Sequence, residues 1–162
     1  MKNKPIIDVC CGGRMFYFDK ADPRVHFCDI RDEDIILCDG RTYSVRPDTV
    51  ADFTALPFED NTYYCVIFDP PHLRTASDKS WLVKKYGKLP KENLEAYLRD
   101  GFAECFRVLR PGGTLIFKWS EHDIPLNWVL KLSNQNPVIK HSKDKTHFVV
   151  FIKDLETKEN MG

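Results

Sequence analysis

Residues 66–68, Val-Ile-Phe, and the four that follow, Asp69-Pro70-Pro71-His72, constrain the fold more than any other stretch of this chain. A continuous apolar run is the pattern of a strand covered on both faces, the usual condition inside a parallel sheet. The acid and the two prolines end it abruptly. Proline fixes φ at both of its positions and pushes the preceding Asp69 into an extended conformation, so the backbone here is held rigid and not merely turned. A simple turn would use Gly or Asn.

The neighbouring segments supply the rest of such a sheet. Residues 5–10 and 25–30 read as strands, and the stretch between them leaves room for only a short helix. Residues 35–45 carry Asp39-Gly40 between two strand-like runs, a hairpin signal. Residues 49–53 and 63–68 read as further strands. In 92–110, Leu94, Leu98, Phe102, Cys105 and Leu109 form one apolar stripe at helical spacing, stopped by Pro111-Gly112-Gly113. A strand over 114–119 and a helix over 124–132, with Asp123 as its N-cap, come next, then an antiparallel pair over 136–154. Strands alternating with helices define an α/β domain with a mainly parallel sheet and helices on both faces.

Composition narrows the setting. The chain has 162 residues, as many Lys plus Arg as Asp plus Glu, and 43% hydrophobic residues. One globular domain over 1–162 is expected, with no separate target-recognition domain. Net charge zero argues against a protein that coats nucleic acid through bulk charge. No apolar run has the length of a membrane span and no leader is evident, so a cytoplasmic protein is expected. The six cysteines lack CxxC pairs and zinc-ligand spacing, so they read as reduced, packed thiols and no metal is expected.

In open α/β sheets the ligand lies beyond the carboxyl ends of the strands. The first strand leads into Asp8-Val9-Cys10-Cys11-Gly12-Gly13-Arg14, where the glycines permit a ligand or a tight turn close to the backbone. The second ends at Asp29, either an acceptor for ribose hydroxyls or a surface acid. The third ends at Asp52-Phe53, an acceptor beside an aromatic surface, and the fourth at Asp69. The G-x-G-x-x-G fingerprint of nicotinamide-dependent dehydrogenases is absent.

Taken in order, these segments resemble the class I S-adenosylmethionine-dependent methyltransferases over residues 5–153. "IIDVCCGG" resembles the first cofactor motif, "CDI" the ribose acid, and "DFTALPFEDNTYYCVIFDPP" the adenine-binding and catalytic segments. "FAECFRVLRPGGTLIF" resembles the helix and strand beyond, and "THFVVFIKD" the antiparallel last strand. The resemblance implies a Rossmann-like, mainly parallel seven-stranded sheet, with the 35–45 hairpin as an insertion. It implies S-adenosyl-L-methionine as cofactor, held by Asp8, Cys10, Cys11, Gly12, Gly13, Asp29, Asp52, Phe53 and Asp69. "CCGGRMFYFDK" with "FDPPHL" is more narrowly similar to small methyltransferases of bacteriophages and prophages. Amino methyltransferases carry D/N/S-P-P-aromatic at the catalytic position, which implies catalytic roles for Asp69, Pro70, Pro71 and His72. The Asp69 carboxylate and the Pro70 carbonyl would accept the two N–H bonds of an exocyclic amino group and aim its lone pair at the methyl donor.

The chain departs from that pattern at three places. Cys10 and Arg14 replace the first and third glycines of the cofactor motif, and Arg14 suits the cofactor carboxylate, an anionic substrate or plain solvent. His72 replaces an aromatic residue, and stacking on a base, acting as general base and packing the loop are all open to it. The third departure is length, with no recognition domain. In its place, residues 79–91 carry five lysines and no acid. Trp81, Lys84, Lys85 and Tyr86 lie among them, a composition suited to single-stranded DNA or RNA or to a solvated loop. The expectation is methyl transfer to an amino nitrogen, N6-adenine-like, by a monomer or homodimer. A small-molecule or protein substrate and a non-catalytic cofactor-binding module are the alternatives.

Overall fold

The computed structural model describes residues 4–72 and 92–155. Strands β1 (Ile6–Asp8), β2 (Val25–Asp29), β5 (Thr49–Val50), β6 (Tyr63–Phe68), β7 (Leu109–Ser120), β8 (Ile139–Lys143) and β9 (Thr146–Ile152) form one seven-stranded sheet in the order β5-β2-β1-β6-β7-β9-β8. The pairs β5-β2, β2-β1, β1-β6 and β6-β7 are parallel, and β9 runs antiparallel to both β7 and β8. The hairpin expected near 35–45 is a separate two-stranded sheet of β3 (Glu33–Ile36) and β4 (Thr42–Val45). The order reverses at β1, so the crevice of the fold opens where β1, β2 and β6 end.

The described helices are α1 (Leu94–Val108) and α2 (Leu126–Leu132). Both pack into one core: Leu98, Phe102, Cys105, Leu126 and Val129 join the inward sides of Ile7, Val66, Phe68, Leu115, Phe117 and Phe151. Phe68, Phe102 and Phe117 meet with ring centroids 4.9–5.6 Å apart. The opposite face has a smaller cluster, Cys11, Val25 and Phe27, against Ile6 and Tyr17. No described helix covers that face, contrary to the expectation of helices on both. The β1–β2 connection folds as consecutive turns, with Arg14 N–H on the Cys11 carbonyl and Asp22 N–H on that of Asp19, because Gly12, Gly13 and Asp22-Pro23 punctuate it too closely for a helix.

Three boundaries differ from the sequence expectation. Pro111-Gly112-Gly113 does not separate helix from strand but forms an irregularity inside β7, where Tyr63 pairs with Leu109 and Cys65 with Thr114. Gly112 makes the bend at φ +74°, and its N–H bonds the Lys153 carbonyl. The end of α1 is held instead by the Lys153 ammonium, which donates to the carbonyls of Phe106 (2.7 Å) and Leu109 (2.6 Å), a cation at the negative end of a helix. Helix α2 starts after Pro125 with no side-chain N-cap at that position; Glu121 Oε2, not Asp123, accepts the Leu126 N–H at 3.0 Å. Finally, only Thr49–Val50 of 49–53 is strand, since Asp52 Oδ1 draws the Thr54 N–H into a local turn.

Candidate functional site

Strand β1 delivers Asp8 to the rim, where it is 2% exposed. Its Oδ2 accepts the Tyr17 hydroxyl at 2.8 Å and its Oδ1 the Cys10 N–H at 3.2 Å. Burial nevertheless raises its pKa to about 7, and the nearby Asp69 and Asp29 add to the effect. A buried carboxyl that ionises near neutrality suits a cationic ligand group.

The Gly12 backbone stands at φ +49°, and its N–H donates to Asp29 Oδ2 at 2.9 Å. Asp29 Oδ1 accepts the Arg31 N–H at 3.0 Å and Nε at 3.2 Å. At 4% exposure Asp29 is no surface acid; it ties the glycine loop to the end of β2. The Gly13 N–H donates to the Tyr43 hydroxyl at 2.7 Å, so the β3-β4 hairpin closes on this loop. A Cβ at Gly13 would lie 2.5 Å from the Tyr43 ring. Gly13→Ala is therefore expected to cost roughly 1–3 kcal/mol of stability as overpacking. A thermal melt checks this, with Gly13→Ala/Tyr43→Ala recovering part of the loss.

Phe53 is 5% exposed and packs on Phe68 and on Tyr97 of α1, at centroid distances of 5.0 and 4.7 Å. Gly101 admits it: a Cβ there would meet the Phe53 ring at 2.7 Å. Asp29, Asp52, Phe53, Tyr97, Asp69 and Pro71 line part of a cavity of about 280 Å³. A second cavity of about 130 Å³ lies against Asp8, Gly12, Gly13, Tyr43, Asp69 and Lys118. Cys10 and Asp69 border both, and Cys11 borders the smaller.

Asp69 thus stands between the two cavities at the end of β6. Burial raises its pKa, and the Lys118 ammonium, donating to Oδ2 at 3.2 Å, opposes that rise. Pro70 is buried behind it, while Pro71 and His72 are half-buried. The His72 ring lies edge-on to Trp119 at 6.3 Å, and its pKa is pushed down to about 4, first by burial and then by Lys118 and His122. It is neutral at physiological pH and poorly matched to general-base work there, which favours stacking or packing among the three roles open to it.

Arg14 is not brought to either cavity wall. Its guanidinium lies 3.8 Å from the Phe27 ring centroid, donates to the Lys20 carbonyl at 2.7 Å and to that of Arg46, and pairs with Asp48 at 3.7 Å. Trp81, Lys84, Lys85 and Tyr86 lie outside the described residues. Tyr17, Arg31, Tyr43, Tyr97 and Lys118 are site residues that sequence reasoning missed. Only Lys118 left a signal, as the one charge inside the apolar strand 114–119.

The strand order, the antiparallel β9 and a ligand crevice at the ends of β1, β2 and β6 give the Rossmann-like fold of the class I methyltransferases. Solved structures agree. A protein from Pyrococcus horikoshii OT3 matches with a TM-score of 0.64 at 16% identity over 92% of this chain and 81% of that one. An S-adenosylmethionine-dependent methyltransferase from Methanosarcina mazei matches with a TM-score of 0.57 at 13% identity over 96% and 95%. The N-methyltransferase NodS from Bradyrhizobium japonicum WM9 matches with a TM-score of 0.56 at 12% identity over 92% and 85%. At these identities the likeness is one of fold. No family model and no curated protein matches the sequence.

Proposed function

We propose that this protein is an S-adenosylmethionine-dependent methyltransferase acting on an amino nitrogen, the exocyclic amino group of a base in DNA or RNA. One observation carries the reading. Asp69, fixed by Pro70 and Pro71, borders both a cavity with acceptors and aromatic walls and a cavity that ends on a buried carboxyl. Similar folds include proteins described as methyltransferases and as an N-methyltransferase, which supports the same class. The narrower similarity to phage-borne enzymes rests on the sequence motifs alone.

The residues fit the cofactor. Asp29 and Asp52 offer acceptors for ribose hydroxyls and an adenine edge, Phe53 and Tyr97 an aromatic wall, and Asp8 a counter-charge for an ammonium group. Gly12 and Gly13 line the smaller cavity beside Asp8, and the space that a Gly13 side chain would need is taken by the Tyr43 ring. S-adenosylmethionine, when bound, supplies an electrophilic methyl group on a sulfonium. This chain's own work is positioning. Asp69 Oδ1, the oxygen not engaged by Lys118, accepts one N–H of the substrate amino group, and the Pro70 carbonyl accepts the other. Both acceptors are set before substrate arrives, and together they draw the nitrogen out of conjugation with its ring. His72, neutral, packs beside them.

Calorimetry with S-adenosylmethionine and with S-adenosylhomocysteine tests the premise. Micromolar or tighter binding of both is expected, weakened about tenfold or more by Asp29→Ala. Absence of heat with either compound would refute the reading.

A further inference from the structure

Parallel strands β6 and β7 pair Phe68 with Phe117, so Asp69 and Lys118 are the next residues side by side at the rim. Lys118 Nζ meets Asp69 Oδ2 at 3.2 Å, with the two side chains only 22% and 24% exposed. The ammonium also lies 4.9 Å from the Phe16 ring centroid, so its position is defined from two sides. The cofactor roles assigned above to Asp8, Asp29, Asp52, Phe53 and Tyr97 do not use Lys118. A cation beside a centre that must accept a cationic methyl donor is, at first sight, unfavourable.

We infer that Lys118 is a specificity-determining residue, which makes this centre take a neutral, planar amino group and reject an alkylammonium. The inference rests on the methyltransferase reading of the same site. Lys118 occupies one oxygen of Asp69 and leaves the other as the acceptor. The pair together is close to neutral, so an approaching ammonium gains little from the carboxylate and is repelled by Lys118 at short range. A neutral N–H donor needs only the free oxygen and loses nothing. An aryl amine, whose lone pair is delocalised and which is uncharged at pH 7, is the acceptor such a centre favours. Through the same contact Lys118 opposes the rise that burial imposes on the Asp69 pKa. The other described titratable groups facing the pair are Asp8 from β1, Cys10, Cys11 and Tyr17 from the loop after it, Arg31 after β2, Tyr43 from β4 and His72 after β6. Lys118 donates to Asp69 Oδ2.

Two measurements on the S-adenosylhomocysteine-bound protein, whose adenosine cavity is then filled, test this without relying on turnover. In carboxyl ¹³C NMR, Lys118→Met should move the Asp69 titration upward by at least one pH unit, and Lys118→Arg should restore it. Adenosine and cadaverine serve as the neutral and cationic amines. The ratio of their dissociation constants should shift at least tenfold toward cadaverine in Lys118→Met and return in Lys118→Arg. An unmoved titration or an unchanged ratio in a folded Lys118→Met protein would overturn the inference. If both shifts occur but the unaltered protein methylates no amine, the methyltransferase reading fails and the selectivity assigned to Lys118 stands.

Discussion

Asp69→Ala is expected to reduce methyl transfer to about one part in a thousand while leaving S-adenosylmethionine affinity within about tenfold. The size follows from what is removed. An exocyclic amino nitrogen is a weak nucleophile, and in the proposed function its activation depends on a charged acceptor already in position, so the loss should fall on kcat as it does when a preorganised oxyanion-hole donor is deleted, about 10²–10³-fold. Asp69→Asn should retain more activity than alanine through its carbonyl oxygen, but less than tenfold more, because an amide opposite Lys118 carries no charge to hold the ammonium. Lys118 stripped of its partner also costs stability, about 1–2 kcal/mol for a pair that retains some solvent contact. Single-turnover kinetics, with calorimetry on the same samples, separates the catalytic loss from the binding one.

Asp8 gives the second large effect, and its sign is set by its environment. An unfolded aspartate ionises near 3.8 and this one near 7, so the folded state holds a proton that the unfolded state has released. That contribution to stability is full below about 4 and is lost as pH rises through about 7. The shift of about three units corresponds to roughly 4 kcal/mol at its upper end. Asp8→Asn cannot ionise, and Tyr17 can turn its hydroxyl to accept the new amide N–H, so the variant should be more stable than the parent at pH 8 and close to it at pH 4. Cofactor affinity should move the opposite way. A cationic ligand requires ionised Asp8, so S-adenosylmethionine should bind up to tenfold more tightly per pH unit below about 7 and level off above it, with proton release on binding. In Asp8→Asn the profile should be flat and the affinity at pH 8 lower by about a hundredfold. Denaturation and binding, each followed from pH 5 to pH 8, check the pair of opposed trends.

The stability lost at Asp8 is consistent with a site residue: a buried acid with two hydrogen bonds and no cation paired to it among the described residues is a poor structural choice and a good ligand contact. The same contrast explains what the sequence revealed. Strand β6 and its Asp-Pro-Pro end were legible because the apolar run and the rigid stop are local properties of adjacent residues. So were α1, from its helical stripe, and the β3-β4 hairpin, from Asp39-Gly40. The glycine loop was legible as a loop, but its partner was not: Tyr43 reaches Gly13 only because the hairpin folds back across the rim. Lys118 stood out locally as a charge inside an apolar strand, but its place beside Asp69 comes from the β6-β7 register, which no local pattern encodes. Tyr97 arrives on α1 from a position off the apolar stripe, and nothing local indicated that its ring borders the cavity.

Charge was misleading where packing decides. Arg14 sits in the cofactor motif and has the right chemistry for an anion, yet Phe27 and the Lys20 and Arg46 carbonyls hold its guanidinium elsewhere. His72 has an ordinary titration range in sequence, and burial beside Lys118 takes it out of that range. Asp123 had the better N-cap chemistry, but Glu121 reaches Leu126 from the end of β7.

Transfer of a labelled methyl group from S-adenosylmethionine is the most direct test of the central claim, with single-stranded DNA, single-stranded RNA and a pool of small amines as acceptors. Digestion of the product to nucleosides should return the label on an exocyclic nitrogen, and Asp69→Ala should remove it. Label found only on small amines, or on oxygen or carbon, or retained in full by Asp69→Ala, would contradict the account.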